Sequence, residues 1–236
     1  MNTSRIFGGI AARLAMAAML LFGLAGTASA TLIDDFSTGQ DTMTISGGSD
    51  WDEVNGTGIL GGWREIKIEA APLSGGAVSA SVGVSAGLLS IANSSGMSSI
   101  VTVTWDGQNS TGLSPLADFS ATVGILAQVF FTDLGINMTM KISDGTNTAS
   151  RVLAIPSTEI PVSTGPVNYL FQFSDFAGGP VDLSQIRSVQ MIVSGNNAYD
   201  VDISFVDTTG IPEPGTMALS AIALLGLGLL RRRRAA

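Results

Sequence analysis

The sequence predicts an all-β fold, closed as a two-sheet β-sandwich, for the stretch between its two apolar ends. Three observations carry this. Apolar and polar residues alternate with period two in segment after segment, turn residues separate those segments, and a helical period of 3.6 is absent outside the ends. Eleven or twelve short strands in about 180 residues close most economically as two packed sheets.

Leu32-Ile33-Asp34-Asp35-Phe36 reads as a short first strand, and Thr42 to Ser46 as a second. Gly47 to Gly62 is polar and glycine-rich, and reads as a long loop containing Asp50, Trp51, Asp52, Glu53 and Asn55. In WREIKIEA, Ile66, Ile68 and Ala70 alternate with Glu65, Lys67 and Glu69, so one face of that strand is buried and the other is wet. Val78 to Ser85, Leu89 to Ile91 and Val101 to Asp106 follow with the same period, the last stopping at the turn pair Asp106-Gly107. Phe119 to Phe131 is the most hydrophobic run. Leu126 and Phe130 fall out of phase with the others, which predicts a central strand covered on both faces. Ile136 to Ile142 and Arg151 to Ile155 flank Asp144-Gly145 as a hairpin. Val167 to Phe173, Val189 to Val193 and Tyr199 to Phe205 supply the remaining strands.

The two ends have a different character. Arg5 and Arg13 precede the apolar run Leu14 to Leu24, and Ala28-Ser29-Ala30 is an A-x-A cleavage site, so residues 1–30 read as a signal peptide and the mature chain as starting at Thr31. At the other end, Pro212, Glu213 and Pro214 hold the backbone extended. Residues 215–230 are apolar or small and would span about 24 Å as a helix, against roughly 30 Å of hydrocarbon. Arg231, Arg232, Arg233 and Arg234 then form a cluster that stays on the cytoplasmic side. The chain therefore divides into a signal peptide (1–30), an exported sandwich (31–210) and a terminal segment (211–236).

The order Pro-Glu-Pro, short apolar helix and arginine cluster closely resembles the PEP-CTERM sorting signal of Gram-negative bacteria. The resemblance implies export, a transient stay in the inner membrane and cleavage near Pro-Glu-Pro by an exosortase, in organisms where this system accompanies exopolysaccharide genes. An ordinary C-terminal anchor is the plainer reading, but it would need neither the Pro-Glu-Pro nor so short a helix.

The charge of the exported part narrows its partners. Arg64, Lys67, Lys141, Arg151 and Arg187 face 18 acids between Thr31 and Gly210, a net charge of −13. Such a surface repels phosphate backbones and excludes nucleic acid as a partner. The chain has no cysteine and no histidine, which removes disulfides, the commonest metal ligand and every Ser-His or Cys-His nucleophile arrangement.

The opening IDDF, the late VDLSQIRSVQMIVSG and the closing YDVDISFV also resemble the galactose-binding-like jelly rolls of carbohydrate-binding modules. That resemblance implies a structural calcium ion tying the first strand to the last. The matching carboxylates are Asp34, Asp35, Asp200 and Asp202, with carbonyls and water completing the shell. The segment Asp50 to Gly56 misses the spacing of a calcium loop by one residue. Among the three indoles, Trp105 is in phase with Val101 and Val103 and belongs to the core, and Trp63 caps it. Trp51 is left as the exposed platform on which a sugar ring could stack.

Catalysis could only come from carboxylates, and nothing around most of them would raise a pKa, so no enzyme is expected. The expectation is a cell-surface or matrix protein, structural or adhesive with exopolysaccharide. Its processing partners would be signal peptidase and exosortase. A carbohydrate-binding module with a defined sugar site is the alternative, and a secreted polysaccharide-active enzyme stands behind it.

Overall fold

A computed structural model describes residues 30–73, 77–108, 116–157 and 165–210, so the expected signal segment up to residue 29 and the sorting segment 211–236 lie outside the described residues. Two antiparallel sheets face each other. The first contains β1 (Leu32–Asp34), β2 (Gln40–Ile45), β5 (Ala80–Ser85), β6 (Leu88–Asn93), β8 (Thr122–Thr132), β11 (Val167–Gln172) and β14 (Asp200–Gly210). The second contains β3 (Gly48–Asn55), β4 (Trp63–Pro72), β7 (Met97–Trp105), β9 (Ile136–Ser143), β10 (Thr148–Ile155), β12 (Ala177–Gly178) and β13 (Ser188–Gly195). Their orders are β11-β8-β14-β6-β5-β2, with β1 also paired to β14, and β12-β10-β9-β13-β7-β4-β3.

The period-two pattern explains the core. Leu89, Ile91, Ala127, Val129 and Ile203 of the first sheet turn inward to meet Ile66, Ile68, Val101, Val103, Met138, Met140 and Met191 of the second, all buried in one cluster. Each fully buried aliphatic side chain stabilises the fold by roughly 1.5–3 kcal/mol relative to exposure. Trp105 is in this cluster, as its phase predicts.

Two expectations about local structure are corrected. Residues 48–55 are not a loop: they form β3, which pairs in unbroken register with β4 from Gly48 opposite Ala70 to Asn55 opposite Trp63. As the last strand of its sheet it is wet on most of both faces, so it lacks the apolar alternation that marks the other strands. β8 is central within its sheet, between β11 and β14, but it is covered on one face only. Leu126 is half-buried and Phe130 is exposed.

β14 joins the end of the chain to its beginning. It lies between β8 and β6, and beyond β6 it also pairs with β1, Leu32 opposite Asp207 and Asp34 opposite Val206. The Thr31 amide donates to Thr208 Oγ1 at 2.7 Å, and the Thr208 amide donates to the Thr31 carbonyl at 3.1 Å. The two ends of the sandwich are thus hydrogen-bonded neighbours.

Candidate functional site

The first-strand acids sit in very different surroundings. Asp34 is wholly buried and accepts four hydrogen bonds: from the Phe36 amide at 2.8 Å, from Arg64 Nη1 to both carboxylate oxygens at 3.1 and 3.0 Å, and from Trp105 Nε1 at 2.8 Å. Arg64 is equally buried. Its remaining donors go to Gln40 Oε1 at 3.0 Å and the Thr38 carbonyl at 2.7 Å, and its guanidinium lies 5.5 Å from the Phe36 ring centre. Gln40 in turn donates to the Asp52 carbonyl at 2.9 Å. Burial pushes the Asp34 carboxyl up, against Arg64, Trp105 and the Phe36 amide, which hold it down. Ion, acceptors and donors satisfy one another, which is the condition for keeping a charged pair inside a core.

Asp35 turns outward. Its Oδ1 accepts from the Ser37 amide at 2.9 Å, and hydrogen bonds from Ser37 hold its carboxyl below the ordinary range. The same carboxylate lies over Gly58, where an added Cβ would sit 2.7 Å from Oδ1 and the backbone has φ +81, so glycine is required there. At the other end of the sandwich, Asp200 Oδ1 accepts from the Asn93 amide at 2.9 Å and Asp202 Oδ1 from Ser90 Oγ at 2.6 Å.

The expected calcium ligands are therefore dispersed. β1 meets β14 at Val206 and Asp207, and Asp202 lies four residues further along, about 13 Å at strand rise. Asp34 is answered by Arg64, a residue the sequence reading left without a role. Its position two before Ile66 and four before Ile68 places it on the buried face of β4, and that phase is the signal that could have found it. Among the described residues, no group of three or more histidine, cysteine, aspartate or glutamate side chains converges as a metal site.

The second sheet's outer face has different chemistry. Ile66 and Ile68 point inward, so Trp63, Glu65, Lys67 and Glu69 point out, and their partners on β3 share that face: Asn55 with Trp63, Glu53 with Glu65, Trp51 with Lys67. Trp51 is 61% exposed and Trp63 is half-buried. Lys67 Nζ pairs with Glu69 Oε1 at 3.0 Å, and Ile100, opposite Glu69 on β7, is also exposed on this face. An aromatic and acidic strip thus runs along an open sheet edge.

Cavities among the described residues lie elsewhere. One of about 410 Å³ is lined by Ile136, Asn137, Ala154, Pro156 and Ser194, and one of about 390 Å³ by Ile142, Phe173, Phe176, Pro180, Val181 and Leu183. No carboxylate lines either of them, so neither has the paired acids of a glycosidase.

The described residues form a two-sheet antiparallel sandwich, which defines an all-β protein. More particularly, the chain carries a PEP-CTERM protein-sorting motif, whose family description matches residues 210–234. No curated protein matches the sequence. Among solved structures, the family 11 carbohydrate-binding module from Clostridium thermocellum, in complex with a β-1,3-1,4-mixed-linked tetrasaccharide, is similar at TM-score 0.42 and 11% identity, over 80% of this chain and 99% of that one. The agarase AgWH50C is similar at TM-score 0.42 and 13% identity, over 77% of this chain and 25% of that one. A likeness of this strength assigns no ligand or activity to this chain.

Proposed function

We propose that this protein is an exported, non-enzymatic component of the cell surface or extracellular matrix, released from the inner membrane by an exosortase and structural or adhesive in company with exopolysaccharide. The observation that carries this reading is the sorting motif at 210–234, whose Pro-Glu-Pro, apolar run and four arginines stand in the required order. The strongly acidic sandwich fits a soluble, hydrated surface role. Intact-mass spectrometry of the surface form tests it. The expected species begins at Thr31 and lacks Arg231 to Arg234, and replacing Pro212, Glu213 and Pro214 with alanine should leave the precursor in the inner membrane. A surface form that keeps the arginine tail would make the segment a plain anchor.

A second reading, a carbohydrate-binding module with its own sugar site, is favoured by one observation. Trp51 offers a flat indole to solvent on a sheet edge.

A further inference from the structure

The outer strip of β3 and β4 combines an exposed indole, a half-buried one and three carboxylates. Trp51 and Asn55 on β3 are four residues apart, so the row carrying Trp51 and the row carrying Trp63 are separated by about 13 Å along the strands. Glu53 and Glu65 stand directly opposite each other between those rows, beside Glu69 and the cation Lys67. β3 ends its sheet, so no further strand of that sheet lies beyond the strip on that side. Ile100 extends the apolar part inward on the same face.

The geometry points to this strip as a polysaccharide-binding surface, deepening the second reading above: an uncharged chain lies along the β3 edge, one ring on Trp51 and another at Trp63. The carboxylates of Glu53 and Glu65 accept hydroxyl hydrogen bonds between them. The face of a pyranose ring is a row of C–H groups that matches the flat apolar surface of an indole, while its equatorial hydroxyls are donors suited to carboxylates. Charge selects the polymer. A sandwich of net charge −13, with Glu53, Glu65 and Glu69 on the strip, repels uronate- or sulfate-bearing chains. The same charges, with Asp50 and Asp52, guard the open edge against pairing with a second copy.

The test is affinity electrophoresis of the processed protein in gels containing neutral glucan, galactan, mannan or xylan, with alginate as the anionic comparison and chitosan as the cationic one. The native protein is expected to be retarded by at least one neutral polymer, with little loss between low and high salt, and not by alginate. Trp51→Ala, at an exposed position that leaves the core intact, should weaken this binding roughly tenfold or more, and Glu53→Gln should weaken it further. Phe130→Ala, on the outer face of the other sheet, should leave it unchanged. If a neutral polymer still bound Trp51→Ala as tightly as the native protein, the strip would be the wrong site while the carbohydrate reading survived. Retardation by chitosan alone, lost in salt, would reduce the strip to a charged surface. If no polymer bound, both the strip and the carbohydrate reading would fall, and dimerisation in gel filtration abolished by Trp51→Ala would reassign the edge to self-association.

Discussion

Trp105 Nε1 donates a 2.8 Å hydrogen bond to Asp34 Oδ2, joining the end of β7 in one sheet to the end of β1 in the other at the point where Arg64 supplies the only counter-charge in the bonding set of Asp34. Because both ions are buried, removing one strands the other. Asp34→Asn or Arg64→Met alone should each lower unfolding free energy by about 3–5 kcal/mol, since each leaves a polar partner set unmatched. The double replacement Asp34→Leu with Arg64→Met should cost much less than the sum of the singles. Urea unfolding of the four proteins measures this. Additive losses would mean that the pair is not coupled.

How far the sequence reaches can be judged from these same residues. The strands of the core were legible because Ile66, Ile68, Val101, Val103, Met138 and Met140 keep strict alternation, and the sandwich follows from burying those faces. β3 was illegible because an edge strand with polar residues on both faces has no periodicity to read. Asp34 and Asp35 both read as calcium ligands because the resemblance to jelly rolls asks for carboxylates on the first strand. Only the pairing of β1 with β14, together with β4 and β7 across the core, shows that one acid is inside and its neighbour outside. Trp51 was expected to be exposed because it was placed in a polar loop, and it is exposed although it lies on the edge strand β3. Its companion Trp63 needed the β3–β4 register to be seen on the same face.

Calcium should leave thermal stability unchanged. The expected ion would join acids of the first and last strands, but Arg64 already answers Asp34 within the core. Asp202 is some 13 Å further along β14 and is engaged by Ser90, while Asp200 is engaged by the Asn93 amide. The melting temperature of the processed protein is therefore expected to be the same in millimolar calcium and in excess chelator. A rise with calcium that Asp35→Ala and Asp202→Ala both abolished would restore the ion.

The β9–β10 hairpin supplies a pH-dependent contribution whose sign can be worked out. Asp144 Oδ1 accepts from the amides of Asn147 at 2.6 Å and Thr146 at 2.7 Å, and Oδ2 accepts from the Asp182 amide at 2.8 Å, which ties the turn to the segment ahead of β13. The Asn147 amide is the largest influence, followed by those of Asp182 and Thr146, and together they hold the carboxyl down to about 2, from 3.8. The folded state thus binds this proton more weakly than the unfolded chain. Its stabilisation is complete above the unfolded value, near 4, and is lost as pH falls through the folded value, near 2. Asp144 is half-buried at the surface, so the effect is modest and salt-sensitive. Asp144→Asn should lower the urea midpoint at pH 7 and pH 5, and the gap from the native protein should narrow between pH 4 and pH 2. A gap that stayed constant across that window would mean that the three amides hold the neutral side chain as well as the charged one.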